Sequence, residues 1–126
     1  MRLMIFLIIS VIIFITFAVW TQNMLESSAG NLGRHLDHLE AAIKNDNWPS
    51  ADNQVKAITR LWNENKKSWQ IFINHEEVDN IDSSLARVKQ LVEIREKADA
   101  LAEIAVLKLF ILHIPEKESL SLVNVF

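Results

Sequence analysis

The chain has 126 residues, a formal net charge of -3 and no cysteine, which leaves room for one small domain beside a membrane segment. The absence of cysteine excludes disulfides, CxxC redox chemistry and thiolate zinc sites. The acidic balance argues against nucleic acid as a partner, because no basic stripe is present to neutralise phosphates. Glycine and proline occur only twice each, which predicts an all-α protein with few loops.

An unbroken apolar run occupies residues 3–20, LMIFLIISVIIFITFAVW. Its 18 residues meet the lower limit for a helix that crosses the ~30 Å hydrocarbon core of a bilayer. We therefore expect a single-pass anchor over residues 1–22, placed in the cell membrane, with Trp20 at the interface. Arg2 precedes the run and Arg34 is the first cation after it, so the positive-inside rule places the rest of the chain outside the cytoplasm.

A cleaved signal peptide is the alternative for this run. Thr16-Phe17-Ala18 and Ser27-Ser28-Ala29 both carry small residues at the spacing that a signal peptidase reads. The first site lies inside the apolar run and the second lies well beyond it, after Glu26. The sequence therefore favours an uncleaved anchor.

Gly30 and Gly33, with nearby Ser27, Ser28 and Asn31, predict a short flexible juncture between the anchor and the following domain. Apolar residues then recur at steps of three and four, which predicts a first bundle helix of about 20 residues starting near Leu25. The members of this stripe are Leu25, Ala29, Leu32, Leu36, Leu39 and Ile43.

A second helix is predicted from about Trp48, because Asn47 can cap its free amides and Pro49 fits its first turn. Asn74 and Glu77 form the pattern of a capping box, so a third helix is predicted to begin there. The charged stretch 95–99 predicts a turn before a fourth helix, although a continuous helix over 75–114 stays open. Pro115 is expected to end that last helix.

These elements predict an up-down four-helix bundle over residues 23–114 and a C-terminal tail, 115–126, packed on it. The expected core anchors are Trp62, Trp69, Phe72, Leu85 and Phe110. For the fourth helix the expected apolar stripe is Ala102, Ala105, Leu109 and Leu112. Residues 104–114, IAVLKLFILHI, are apolar almost all round, which favours core burial over a docking face for a partner.

An offset of 49 residues aligns the apolar stripe of the first bundle helix with that of the third, pairing Leu32 with Ile81 and Leu36 with Leu85. The same offset pairs Val55 with Ile104 and superposes the two interruptions at 45–50 and 94–99. A heptad-like repeat explains the first agreement, because 49 is a multiple of seven. A duplicated helix hairpin explains both, and the two interpretations stay open.

No nucleophile elbow, phosphate-binding loop or dinucleotide fingerprint is present, so no catalytic residue and no cofactor is assigned and an enzyme is not expected. The nearest approach to a metal site is His75, Glu76 and Asp79, with His113 from the end of the last helix. A structural explanation is better supported, because Glu76 and Glu77 favour the first turn of a helix. His35 and His38 are interpreted as a solvated flank.

Three segments carry a family likeness: Trp62 with Trp69, the stretch NHEEVDNIDSSLARVKQL, and the C-terminal IPEKESLSLVNVF. Together they resemble an uncharacterised family of Firmicutes, domain of unknown function 4363. The resemblance implies a short single-pass helical protein of bacteria that is often encoded beside a multi-pass membrane protein. It assigns no catalytic residue.

The expected function is therefore that of a membrane-anchored interaction module, the partner or regulator of a neighbouring integral membrane protein. Two alternatives remain, a ligand-sensing extracytoplasmic bundle and a metal-binding protein built on the His75 cluster. A homo-oligomer is compatible with the sequence. The expected partner contacts are in helix four or the tail, at Leu120, Leu122, Val125 and Phe126.

Overall fold

A computed structural model describes the backbone of residues 1–125 and the side chains of residues 1–115. It contains four helices, α1 (Arg2–Lys44), α2 (Trp48–Phe72), α3 (His75–Glu93) and α4 (Lys97–Val125). Helix α1 packs on α2 and α4, and α3 packs on the same two helices. The predicted class is confirmed: a long apolar N-terminal helix leads into an up-down helical bundle.

The apolar run and the first bundle helix form one continuous helix of 43 residues, about 65 Å long. The flexible juncture predicted at Gly30 and Gly33 is therefore wrong. Ser28 and Gly33 are buried, and the Ser28 hydroxyl donates to the side-chain amide oxygen of Asn65 at 3.2 Å. A Cβ at Gly33 would lie 3.5 Å from Leu112, in ordinary van der Waals contact, so this position of α1 faces α4 and does not belong to a linker.

The first part of α1 stands apart from the bundle. Every residue from 3 to 20 is exposed except Ala18, which is half-buried. Within the described chain, this helix is long and apolar enough to cross a membrane. A span in lipid needs this pattern of uncovered apolar side chains.

The connections after α1 and after α3 are tight turns with the same hydrogen bonds. After α1, the Asn47 amide donates to the Ala42 carbonyl at 2.8 Å and the Asp46 amide to Ile43 at 3.0 Å. After α3, the Glu96 amide donates to Leu91 at 3.0 Å and the Arg95 amide to Val92 at 3.1 Å. Both are Schellman-type helix ends, and the predicted turn near 95 is confirmed over the continuous helix.

The starts of α2 and α3 are fixed by two asparagines. The Asn47 side chain accepts from the Ser50 amide at 3.3 Å, with a proline in the first turn of α2. The Asn74 side chain accepts from the Glu76 amide at 3.3 Å, and both Glu76 and Glu77 lie in the first turn of α3. Their carboxylates face the positive end of the helix dipole.

The core of the bundle contains the large buried side chains Trp62 and Trp69, whose rings meet edge to face at 5.5 Å. Leu85 is also buried, whereas Phe72 and Phe110 are half-buried against the core. The core residues that α4 contributes among those described are Ala100, Ile104, Leu107, Ile111 and Ile114.

The stripe predicted for α4 is wrong, because Ala102, Ala105, Leu109 and Leu112 all face outward. Apolar residues surround this helix, so periodicity alone gave no basis for choosing the buried face. At the 49-residue offset Val55 aligns with Ile104, and both residues are buried.

The prediction that Pro115 ends the last helix is also wrong, since α4 continues to Val125. Proline in a helix removes one backbone donor and costs about 3 kcal/mol. Pro115 nevertheless lies inside α4, where it is buried. Whether residues 116–126 pack on the bundle, as predicted for the tail, lies outside the described side chains.

Candidate functional site

The outward face of α4 carries an uninterrupted apolar stripe, Ala102, Ala105, Leu109 and Leu112, here called the outer α4 stripe. Leu109 is 69% exposed and Leu112 is 49% exposed. The four positions follow steps of three and four, so they lie on one side of the helix. A soluble surface helix carries polar residues at such positions, and this stripe is therefore the first candidate for a docking surface.

A groove of about 410 Å³ runs beside this stripe, between the start of α3 and α4. Its apolar side comes from Leu109, Phe110 and Ile114, and its polar side from α3 and the end of α4. The polar lining residues are Glu77, Asn80 and His113. The groove combines an apolar wall with hydrogen-bonding groups, which is the composition of a shallow recognition site.

The opposite edge of α4 is fixed to α1 by a charged cluster. The Lys108 ammonium group pairs with Asp37 at 2.6 Å and also with Glu40, which in turn pairs with Lys44 at 2.7 Å. The Lys108 and Lys44 ammonium groups lower the pKa of the Glu40 carboxyl to about 2. Burial lowers the pKa of Lys108, but its hydrogen bonds to Asp37 and Glu40 outweigh burial and raise it. This cluster fixes the register of α4 on α1.

A second polar cluster joins α2 to α3. The Trp62 indole nitrogen donates to an Asp82 carboxylate oxygen at 2.7 Å, and Lys66 pairs with the other oxygen at 2.6 Å. The carboxylate thus satisfies a buried donor and a half-buried cation at once. Its role is structural, because all its contacts hold helices together.

The four histidines are distributed over three helices, α1, α3 and α4. His75, Glu76, Asp79 and His113 are all exposed. Among the residues that the structure describes, no group of three or more metal-ligating side chains comes together. His35 lies next to Gln54, with its Nδ1 atom 3.0 Å from the amide oxygen, and His38 is exposed.

The end of the bundle next to the apolar run is closed by contacts between distant parts of the chain. The Gln22 amide nitrogen donates to the Pro115 carbonyl at 2.8 Å. The Phe17 ring, inside the apolar run, lies 5.9 Å from the Phe72 ring at the end of α2. The helix that carries the apolar run is therefore packed on two other helices where the bundle begins.

A family described as a domain of unknown function, DUF4363, matches residues 19–125. The chain belongs to the DUF4363 family. The DUF4363 match begins at the end of the apolar run and extends through all four helices, so the family is defined by the bundle.

Comparison with curated proteins and with solved structures finds no match for this DUF4363 chain. The roles of the site residues therefore follow from the geometry alone.

Sequence reasoning missed Gln22, Asp82 and Lys108. Lys108 carried a usable signal, because a single cation inside the apolar stretch 104–114 needs a charged partner when it is partly buried.

Proposed function

We propose that this protein is a membrane-anchored interaction module of bacteria that docks on a neighbouring integral membrane protein through the outer α4 stripe. The observation that carries the proposal is the exposed Leu109, at the centre of an apolar stripe on a helix fixed to the anchor helix. In this proposal the apolar run is a signal anchor in the cell membrane and the bundle is extracytoplasmic.

Packing supports retention of the anchor. Cleavage after Ala29 would remove Leu25, Ser28 and Ala29 from the core, and cleavage after Ala18 would remove Phe17 from its contact with Phe72. Burying a side chain of the size of leucine contributes about 2 kcal/mol. An intact α1 therefore serves both as the span and as a bundle helix.

The height of the stripe argues for a protein rather than lipid as its occupant. Leu112 packs beside Gly33, which lies thirteen residues beyond Trp20, about 20 Å along the helix axis. Headgroups extend only about 5–8 Å beyond the hydrocarbon core. A partner must therefore have a part that projects beyond the membrane surface.

A narrow stripe is sufficient for a partner in the same membrane. Confinement of both proteins to one bilayer raises their effective concentration, so a modest interface gives a stable complex. The ion pairs of Lys108 with α1 also keep the stripe in one orientation relative to the anchor. A fixed orientation reduces the entropy lost on docking.

The test is copurification from native membranes in a mild detergent, using the tagged full-length chain. Leu109→Glu places a charge in the stripe, and Ala86→Glu places the same charge at an exposed position of α3. We expect one integral membrane protein to accompany the parent chain and Ala86→Glu but not Leu109→Glu. Equal recovery with both variants, or recovery of a second copy of the chain alone, would contradict the proposal.

The groove between α3 and α4 favours a second candidate, an extracytoplasmic bundle that senses a small molecule. Its lining by Glu77, Asn80 and His113 offers both hydrogen-bond donors and acceptors. This candidate predicts that a bound compound raises the thermal unfolding temperature of the parent chain and not of Asn80→Ala. Docking through the stripe alone predicts no such compound.

A further inference from the structure

A second contact with the membrane is built into the turn between α2 and α3. We infer that Ile71 and Phe72, here called the α2–α3 tip, insert into the lipid at the bilayer interface beside the anchor. This inference rests on the proposed anchoring of α1 and adds an interaction surface whose partner is the acyl-chain boundary of a lipid bilayer.

Depth is the first argument. The Phe72 ring lies 5.9 Å from the Phe17 ring. Phe17 precedes Trp20 by three residues, about 4.5 Å along the axis of α1. A bilayer that covers the apolar run up to Trp20 therefore reaches the ring of Phe72.

The surface of the tip is the second argument. Ile71 is 76% exposed, whereas Ile73, two residues further along the chain, is buried in the core. The other tip residue, Phe72, lines a mostly apolar cavity of about 200 Å³ between α1 and the end of α2, together with Phe14, Phe17, Ala18, Thr21, Gln22 and Leu25. Lipid chains that cover the exposed Phe14 and Phe17 also cover this recess and the tip.

Charges around the tip limit how far it inserts. Lys67 is exposed one turn before Ile71, at the height where phosphate groups would lie. Lys66 is paired with Asp82, and the first turn of α3 carries exposed His75 and Glu76. Because anions and cations both surround the tip, its affinity for the bilayer comes from apolar burial and not from attraction to acidic lipids.

The experiment uses spin labels on the full-length chain in phosphatidylcholine vesicles, at about one chain per vesicle. The chain contains no cysteine, so single substitutions give unique labelling sites. Ile71→Cys tests the tip, Ile8→Cys reports on the span, and Asn53→Cys is a matched exposed site at the other end of α2. Relaxation by oxygen and by a water-soluble nickel complex measures how deeply each label lies in lipid.

We expect labels at 71 and 8 to favour oxygen over nickel, and the label at 53 to favour nickel. A label at 71 that behaves like the one at 53, while the label at 8 stays in lipid, would overturn the tip contact and leave the anchor intact. A label at 8 in water would overturn the anchor and the tip together. Protection of position 71 from both reagents would mean coverage by protein, which also overturns the inference.

Discussion

Asp46 and Arg95 have the same left-handed backbone conformation, with φ of 55° and 59°, and lie 49 residues apart. Each residue follows the first helix of a hairpin, and the backbone hydrogen bonds around the two turns correspond one to one. The cross-hairpin contacts correspond as well: His35 meets Gln54 at 3.0 Å, and Ser84 donates to Glu103 at 2.8 Å. Heptad phase does not explain matched turns and matched polar pairs, so the structure supports a duplicated helix hairpin.

The two turns give the first prediction. A side chain with a Cβ in the left-handed region costs about 1 kcal/mol relative to glycine. Arg95→Gly should therefore raise the free energy of unfolding by about 0.5–1 kcal/mol, measured by denaturant titration in detergent micelles. Arg95→Ala is the control, since it removes the same side chain but keeps the Cβ. Equal stability of the two variants would show that the left-handed conformation is not what limits this turn.

Asp46→Gly should gain less than Arg95→Gly. Asp46 accepts from the Lys97 ammonium group at 3.1 Å, and that ammonium group also donates to the Lys44 carbonyl at 3.2 Å. The variant loses an exposed ion pair worth about 0.5 kcal/mol while it relieves the same backbone strain. A gain for Asp46→Gly larger than for Arg95→Gly, in the same denaturant titration, would contradict this account of the two turns.

A continuous α1 gives the third prediction. Gly30 lies inside the helix with no atom near its missing Cβ, so Gly30→Ala should stabilise the protein by about 0.5–1 kcal/mol. Gly30→Pro should cost about 3 kcal/mol or more, because it breaks α1 within its bundle segment. Thermal unfolding followed by circular dichroism measures both. A flexible juncture at this point would leave the two variants close to the parent in stability.

The acid dependence of stability follows from the charged cluster on α1 and α4. The pKa of Glu40 is about 2 in the folded chain against an ordinary value of 4.5. The carboxylate therefore contributes its full stabilisation above pH 4.5 and loses it as the pH falls toward 2. That contribution is on the order of 1 kcal/mol, because Glu40 is partly exposed to solvent.

Glu40→Gln should accordingly be less stable than the parent at pH 7. In thermal melts at a series of pH values, its unfolding temperature should fall less steeply on the acid side than that of the parent, and this acid side of the curve is the acid limb. His38→Gln is a control on the same helix, at an exposed position outside the cluster. If the acid limbs of Glu40→Gln and the parent coincide, the ion pairs with Lys108 and Lys44 do not contribute to folding.

The buried indole of Trp62 gives a prediction at the interface of α2 and α3. Asp82→Ala leaves the Trp62 indole nitrogen without its acceptor, which should cost about 1–3 kcal/mol. Asp82→Asn keeps an oxygen acceptor at that position and should recover most of the loss, apart from the pair with Lys66. Denaturant titration distinguishes the two. Equal losses would assign the effect to the ion pair.

The elements that could be predicted were those with local signals. Asn47, Pro49 and Asn74 marked the starts of α2 and α3 because capping depends on neighbouring residues alone. The long apolar helix at the start of α1 could be predicted from length and composition for the same reason.

The parts that could not be predicted depend on long-range packing. Gly33 resembled a linker residue until Leu112, on another helix, showed that it is a contact position. Pro115 resembled a helix end because proline disfavours the helix interior. Its burial depends on tertiary packing, which the local sequence does not reveal. The buried face of α4 was ambiguous from its own sequence: Ala105 was predicted to lie in the core stripe and is exposed, whereas Ile104 is buried.

The most direct test of docking through α4 is photo-crosslinking in native membranes. A benzophenone amino acid replaces Leu109 in the outer α4 stripe, and the same group at the exposed Ala86 of α3 is the control. We predict a covalent adduct with a single integral membrane protein from position 109 and none from position 86. Adducts from position 109 that contain only lipid or a second copy of the chain would contradict the account.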